Sequence, residues 1–270
     1  MAFKDEAHVH FHEEVAPGCF LIRLVSAEIA RSARPGQFVN VRCGDTYDPL
    51  LRRPISIHRI DPEAGEISLL YRVVGRGTRK LSALKAGETL DIVGPLGNGF
   101  KTEGFTGSDR EAVLLGGGIG AAPLFALAAE LADQRGRVMV MLGASTSVDL
   151  LQVEEFRSLG LPVLLATDDG SAGGRGTVVD AFRSWLKDSG KKPGLVFACG
   201  PHPMIKALQR LCAKAGIELQ VALEERMGCG LGGCLSCVCK IKSGGDSDWR
   251  YARVCQEGPV FSGEEVLLDE

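Results

Sequence analysis

Four cysteines near the carboxyl end leave this chain little choice in how its last segment can fold. Four residues separate Cys229 from Cys234, two separate Cys234 from Cys237, and seventeen separate Cys237 from Cys255. This C-x4-C-x2-C…C spacing is that of plant-type [2Fe–2S] ligation. Two irons and two sulfides need four thiolates brought together by a tightly curling loop. Gly228, Gly230, Gly232 and Gly233 allow that curl and leave amide groups free to face the sulfurs. The alternative is a four-cysteine zinc site, but zinc sites usually use paired C-x2–4-C knuckles, whereas here three cysteines share one glycine-rich loop. Cys239 is surplus to the set and is read as non-ligating.

The segment from Glu224 to Glu270 is too rich in Cys and Gly to build its own apolar core, and a unit of that size usually needs a metal or disulfides. Five of the nine cysteines fall in the last forty-two residues. Met1 to His12 carries charges and histidines around no apolar core, unlike a signal peptide. A reducing, cytoplasmic setting is therefore expected, in which clustered thiolates point to a metal rather than to disulfides. Cys19, Cys43, Cys199 and Cys212 sit in apolar contexts and read as small buried hydrophobes. Lys plus Arg number 31 against 34 Asp plus Glu, a net charge of −3, which gives no basic excess for a nucleic-acid partner. Ala112 to Ala129 lacks charge over eighteen residues, but Gly116, Gly117, Gly118, Gly120 and Pro123 interrupt it, so a strand, a turn and a helix are expected there rather than a membrane span.

At 270 residues the chain is long enough for more than one domain. Residues 1–104 read as short strands: Cys19 to Val25, Gln37 to Arg42, Ile55 to His58, Ile67 to Val74 and Thr89 to Val93, with turns at Pro35-Gly36, Asp61 to Gly65 and Gly94 to Gly97. Repeated short strands with few helices predict an antiparallel β-barrel. From about Glu111 apolar runs alternate with helical segments. Ala112 to Leu115, Val138 to Leu142, Val163 to Ala166, Leu195 to Ala198 and Leu219 to Leu223 are expected strands. Pro123 to Gln134, Asp180 to Lys187 and Met204 to Lys214 are expected helices, with Pro123 at the first helical position. That alternation predicts an α/β domain over 105–223, a parallel sheet covered on both faces. A small [2Fe–2S] unit over 224–270 completes a multidomain fold.

Gly116, Gly118 and Ala121 satisfy G-x-G-x-x-A between a strand and a helix, where bare amides and a helix N-terminus favour a pyrophosphate. A plain tight turn is the alternative. The acid expected about 20 residues later is missing, since the next strand ends at Leu142 to Ser145. No arginine follows that strand to meet a 2′-phosphate, which leans the reading towards NAD. In the first unit Arg52 and Arg53 precede Pro54, Ile55 and Ser56 at a strand start, and guanidinium suits a phosphate. Tyr71 and Arg72 precede Gly75 to Thr78, a second group able to hold an anion. Each, read alone, could equally be a basic edge strand or a turn.

The barrel with Arg53, Pro54, Ile55, Ser56, Gly77 and Thr78, then Gly116 to Gly120, then Cys199, Gly200, Pro201 and Met204, resembles the ferredoxin-NADP reductase superfamily. With the four C-terminal cysteines and the Gly258 to Phe261 tail, the chain resembles the electron-transfer subunits of type B dihydroorotate dehydrogenases, from about Val15 to Phe261. The resemblance implies that the barrel binds FAD, with Arg53, Pro54, Ile55 and Ser56 along the flavin and its pyrophosphate. Leu70, Tyr71 and Arg72 would form the next contact strand, with Gly77 and Thr78 at the pyrophosphate. The second domain would admit NAD through Gly116, Gly118 and Gly120, with the nicotinamide beside Cys199 and Gly200. Cys229, Cys234, Cys237 and Cys255 would hold the cluster. It would lie between FAD and a separate FMN-containing catalytic subunit, a TIM barrel that oxidises dihydroorotate to orotate in pyrimidine biosynthesis, with two copies of each subunit. Electrons would pass singly through the cluster, and FAD would deliver a hydride to NAD⁺. No catalytic acid or base is assigned.

Two related readings share this domain order. One is the small subunit of an NAD(P)H-dependent ferredoxin oxidoreductase or sulfide dehydrogenase, whose first cluster ligand is often an aspartate where this chain has Cys229. The other is a hydrogenase diaphorase subunit, which keeps four cysteines.

Overall fold

A computed structural model describes residues 1–44, 46–103, 110–190, 192–244 and 248–268. The first unit is a closed antiparallel barrel. Its strands are β1 (Phe3–Ala16), β2 (Cys19–Val25), β3 (Phe38–Val41), β4 (Arg53–Asp61), β5 (Glu66–Arg72) and β6 (Thr89–Leu96), closing in the order β1-β2-β5-β4-β3-β6. Short helices α1 (Ala27–Ser32) and α2 (Arg76–Leu81) join strands within it. Alternate side chains point inward: Ile22 and Leu24 from β2, Ile67 and Leu69 from β5, and Ile57 and Ile92 from their partners, all buried in one cluster. Closure removes the exposed strand edges that an open sheet would leave.

The long first strand is absent from the sequence expectations. Only Ala7 and Val9 of β1 are buried; the rest of it, mostly His, Glu, Asp and Lys with Phe3, Phe11, Val15 and Ala16 among them, faces outward or is half-covered. Its place is set by pairing with β2 and β6 rather than by its own apolar pattern.

The second unit is a seven-stranded sheet. Its strands are β7 (Glu111–Gly117), β8 (Arg137–Ala144), β9 (Val163–Thr167), β10 (Gly174–Arg175), β11 (Leu195–Cys199) and β12 (Glu218–Ala222), with a seventh from the chain's end. In the order β10-β9-β8-β7-β11-β12 these six run parallel. Helices α3 (Ala122–Asp133), α4 (Val153–Ser158), α5 (Val178–Ser189) and α6 (His202–Ala215) cover it. The uncharged run within β7, from Ala112, is apolar because both of its faces are buried. Leu114 packs with Leu124, Leu127 and Phe156 on the α3–α4 side, while Val113 and Leu115 pack with Phe182, Ile205 and Leu208 on the α5–α6 side. Burying each of those phenylalanines stabilises the layer by about 2–3 kcal/mol. Pro123 falls at the second residue of α3, one place later than expected. No helix among the described residues is long and apolar enough to cross a membrane.

Beyond β12 come β13 (Val238–Lys242), β14 (Trp249–Arg253), β15 (Val260–Ser262) and β16 (Val266–Leu267). A small sheet runs β14-β13-β16, while β15 leaves it and pairs antiparallel with β12 at the edge of the large sheet. Cys237, Cys239, Ile241, Val254, Cys255 and Phe261 join the same buried cluster as Ile205 and Leu208 of α6. This segment therefore borrows its core from the neighbouring domain, as its composition demands. The expected boundary between residues 104 and 105 lies outside the described residues.

Candidate functional site: two clefts and a cysteine loop

On the barrel, a cleft of about 270 Å³ is lined by Arg53, Pro54, Ile55, Ser56, Leu70, Tyr71, Arg72 and Thr78, with Phe38, Ile119, Glu224 and Pro259 among the other walls. Seven residues singled out in the sequence thus face one space because β4 and β5 are ladder neighbours, and Thr78 joins them from α2. The two consecutive arginines divide their work. Arg52 is spent on Asp91, with Nη2 2.7 Å from each carboxylate oxygen, and on the carbonyls of Asn40 and Asp91. Arg53 turns to the cleft and lies over Gly77, where a Cβ would stand 2.7 Å from its Nε. Gly77 does not itself line the cleft; its missing side chain makes room for the guanidinium.

Gly75 to Thr78, expected as a group able to hold an anion with a plain turn as the alternative, is the N-cap and first turn of α2. The Thr78 hydroxyl oxygen accepts from the amides of Val74 at 3.0 Å and Gly75 at 3.2 Å. Tyr71 is fixed from behind. The His12 Nδ1–H donates to the Leu84 carbonyl at 2.8 Å, so its Nε2 carries the lone pair and accepts from the Tyr71 hydroxyl at 2.9 Å. Burial lowers the His12 pKa, which keeps this neutral arrangement, and burial raises that of Tyr71.

A second cleft, of about 650 Å³, opens at the carboxyl ends of the parallel strands. Gly117 to Gly120, Gly143 to Ser145, Asp168, Thr177 and Gly200 line it, as expected for a ligand at the crevice of an α/β sheet. Gly118 has φ of +55°, while a Cβ on Gly120 would drive into the Cys199 carbonyl, so the turn lies directly on the end of β11. Gly116 lies beneath the turn rather than in the cleft: its Cβ would meet Ala121 Cα at 2.9 Å. Cys199 is buried within the α3 side of the sheet, where desolvation first and Glu224 second raise its pKa well above the usual thiol range; Gly200 is the member of the pair that faces the cleft.

Arg72, Ile119 and Glu224 line both clefts, so the two spaces meet there. The Arg72 guanidinium lies 3.8 Å from Asp149. Glu224 is reachable by solvent through the clefts yet crowded by protein behind, and that desolvation raises its pKa, with His202 opposing. Neither Glu224 nor Pro259 was found in the sequence as a cleft residue, because each arrives from a strand end distant in the chain and no local pattern marks it.

The cysteine loop closes against the barrel. Gly230 and Gly232 take φ of +68° and +85°, and Leu235 joins them at +57°. The thiols stand in two pairs: Cys229 beside Cys234, and Cys237 beside Cys255, with Cys229 also in electrostatic reach of Cys255. Among the described residues no three His, Cys, Asp or Glu side chains form a group fit for one metal ion. Two pairs suit two irons, each needing two protein thiolates, better than one tetrahedral ion. Amides already face the sulfurs: Cys229 N–H donates to Cys234 Sγ and Leu231 N–H to Cys229 Sγ, both at 3.3 Å. Hydrogen bonds, first from Ser236, lower the Cys234 pKa to about 6, towards the thiolate a metal requires. Cys239 is buried in the same cluster as Cys237 and Cys255, and burial first raises its pKa to about 11.

One contact ties this loop to the barrel cleft. Asn40 on β3 pairs with Pro54 of β4 and donates from Nδ2 to the Cys229 carbonyl at 2.9 Å. A Cβ at Gly230 would stand 2.5 Å from that nitrogen, so the loop needs glycine to reach it. Asn98 holds the following segment through the carbonyls of Gln256 and Glu257.

Residues 224–267 match the iron-sulfur cluster binding domain of dihydroorotate dehydrogenase B, and 114–210 match the oxidoreductase NAD-binding domain. A dihydroorotate dehydrogenase B (NAD(+)) electron transfer subunit from Desulforamulus reducens is 45% identical over 94% of this chain and 95% of its own length. That of Geobacillus sp. strain WCH70 is 40% identical over 99% and 100%. Among solved structures, the NADH-dependent reduced ferredoxin-NADP oxidoreductase superposes with a TM-score of 0.84 at 31% identity, over 97% of this chain and 90% of that one. The ferredoxin reductase of a carbazole 1,9a-dioxygenase, at 22% identity and a TM-score of 0.67 over 80% of this chain and 67% of its own, shares the fold. Identity across nearly the full length of both chains, with the cysteine set and both clefts in place, assigns this chain to the family of dihydroorotate dehydrogenase B (NAD(+)) electron transfer subunits.

Proposed function

We propose that the chain carries electrons from a separate FMN-containing catalytic subunit, a TIM barrel oxidising dihydroorotate, to NAD⁺ by way of a [2Fe–2S] cluster and FAD. The observation that supports this most is adjacency. The two clefts share Arg72, Ile119 and Glu224, and the loop bearing Cys229 is bonded to a residue one ladder rung from Pro54. A relay of three redox groups needs such contiguity, whereas a zinc-stapled binding module does not.

When bound, FAD exchanges a hydride with the nicotinamide and single electrons with the cluster. The chain's own residues supply position and environment. Arg53 offers charge to the FAD pyrophosphate, with Gly77 and Thr78 at the same end, while Pro54, Ile55, Ser56, Leu70, Tyr71 and Arg72 wall the flavin. The amides of Gly118 and Gly120, with Gly116 bracing the turn, receive the NAD pyrophosphate at the head of α3. Cys199 and Gly200 bound the nicotinamide end, where Ile119 covers the junction in apolar surface. Cys229, Cys234, Cys237 and Cys255 hold the irons. No side chain is given the role of a catalytic acid or base.

Leu231 and Leu235 are exposed on either side of Cys234, itself exposed, which suits an apolar seat for the catalytic subunit over the cluster. We place two copies of each subunit in the assembly, within the cytoplasm, and divide the chain into units 1–104, 105–223 and 224–270. The test is reconstitution. The isolated, cofactor-loaded chain should oxidise NADH with an artificial acceptor but leave dihydroorotate untouched until the catalytic subunit is added. Dihydroorotate oxidation by the isolated chain would overturn the division of labour.

A further inference from the structure

Arg53 to Ser56 of β4 wall the barrel cleft, and two places beyond Ser56 on the same strand stands His58. We propose that His58 is a positioning residue for hydride transfer, its bond to the Ala122 carbonyl holding the glycine turn of the larger cleft in register with the flavin wall. This rests on reading the smaller cleft as the flavin site and the larger as the nicotinamide dinucleotide site.

His58 is out of step with its strand. In the β4–β5 ladder Ile57 pairs with Leu69 and Arg59 with Ser68, which leaves His58 as the extra residue of a β-bulge. Bulges re-aim side chains, and this one turns an imidazole towards the second unit. Ile57 before it packs in the barrel core and Arg59 after it is exposed, yet His58 is only 3% exposed. What covers it is α3. The ring centroid lies 4.8 Å from that of Phe125, and Nδ1–H donates to the Ala122 carbonyl at 2.9 Å. Ala122 opens α3 directly after the turn Gly118–Ala121. Gly118, Ile119 and Gly120 of that turn line the larger cleft, while Ile119, Ala122 and Pro123 line the barrel cleft. The bond therefore joins the strand behind one cleft to the turn that floors the other.

Neighbouring contacts hold this junction together without fixing its register. Cys19 and Leu70 from the barrel pack with Ala122 and Leu151 in one apolar cluster, and apolar attraction is non-directional. A second polar link, between Arg72 and Asp149, is 3.8 Å long with both side chains 40% exposed, so solvent and salt weaken it. The His58 bond is shorter, directional and buried, where a hydrogen bond is electrostatically stronger. It also stands apart from the helix's own bonding. The Ala122 carbonyl, at the first residue of α3, accepts from the amide one turn on as well, so loss of His58 orphans no backbone group. Substitution should loosen the register and leave the fold intact.

The test compares His58→Leu with His58→Asn on the flavin-loaded chain. The two side chains are nearly equal in size, and only Asn keeps a donor where Nδ1 stands. Stopped-flow reduction of FAD by NADH, the long-wavelength charge-transfer absorbance of the NADH–flavin complex, and amide hydrogen exchange at Gly118 to Ala122 are the readouts. His58→Leu should slow reduction at saturating NADH about 10-fold, since small misplacements of reacting groups are costly. It should also weaken the charge-transfer band and speed exchange in the turn, with FAD affinity and the half-saturating NADH concentration little moved. His58→Asn should restore most of the rate, the band and the protection. His58→Phe, which keeps a ring against Phe125 without the donor, should behave as His58→Leu does and serves if that variant does not fold. Donorless variants that match the parent, or His58→Asn failing as they do, would overturn the role of His58. A parent chain whose bound FAD is not reduced by NADH would instead refute the reading of the clefts, and this inference with it.

Discussion

Asn40 offers the sharpest test of how the cluster loop is held beside the flavin wall. It is buried, donates from Nδ2 to the Cys229 carbonyl, and leaves its Oδ1 without a partner among the described residues. Asn40→Ala removes the bond, a net loss of about 1 kcal/mol, but also removes the cost of the buried, unpaired oxygen. Because Cys229 is half-exposed, water can reach its carbonyl in part, so a destabilisation near the low end, about 1 kcal/mol, is expected. Asn40→Asp preserves shape and removes the donor, placing a carboxylate against a carbonyl. Arg52, the cation beside it, is already committed to Asp91. That substitution should cost about 3 kcal/mol or more. The sign of its pH dependence follows. The buried carboxyl has a folded pKa above its unfolded value, so stability is present at low pH, where the acid can donate, and is lost as pH rises. Urea unfolding followed through the cluster's visible absorption would read both variants, with NADH reduction of FAD retained in each. If alanine were the more damaging change, Asn40 would be filling space rather than donating, and the reasoning would fail.

Three further outcomes are expected. Cys234→Ser should abolish the cluster while NADH still reduces bound FAD; loss of both from a folded protein, seen by absorption spectroscopy, would contradict the separation of the sites. Arg53→Ala should lower FAD affinity by about 10-fold or more, as loss of a charged phosphate contact does, and unchanged flavin content after dialysis would count against it. His58, fully buried, donates from Nδ1 to the Ala122 carbonyl at 2.9 Å and has its pKa lowered to about 4, first by desolvation. Its unfolded value is higher, so stability is complete above about pH 6.5 and falls as pH drops towards 4, by about 3 kcal/mol in all. His58→Gln should flatten that slope in pH-dependent unfolding, and an unaltered slope would refute the assignment.

Much of this architecture is written locally in the chain. The double-faced apolar run of β7 and the glycine turn after it each follow from one short segment, and each is found where it was expected. The first strand was missed because β1 presents mostly polar residues and is fixed by its two neighbours. The helix α2 is not legible in the sequence because Gly75 and Gly77 mask six helical residues, although Thr78 already carries the capping hydroxyl. Arg52 and Arg53 look alike in sequence; only the position of Asp91 across the barrel separates the structural one from the one facing the cleft. Glu224, Pro259 and Asn40 gain their places from topology, which brings a strand end or a ladder rung beside a space defined elsewhere. No periodicity reports such meetings.

The relay stands or falls on two irons and two sulfides held by Cys229, Cys234, Cys237 and Cys255 within electron reach of the flavin. The direct measurement is iron and acid-labile sulfide on anaerobically prepared protein, with electron paramagnetic resonance after NADH is added. Two of each per chain, and a one-electron signal that NADH evokes only when FAD is bound, is the predicted result. Protein that carries zinc in their place, or a cluster that NADH reduces equally well without FAD, would contradict it.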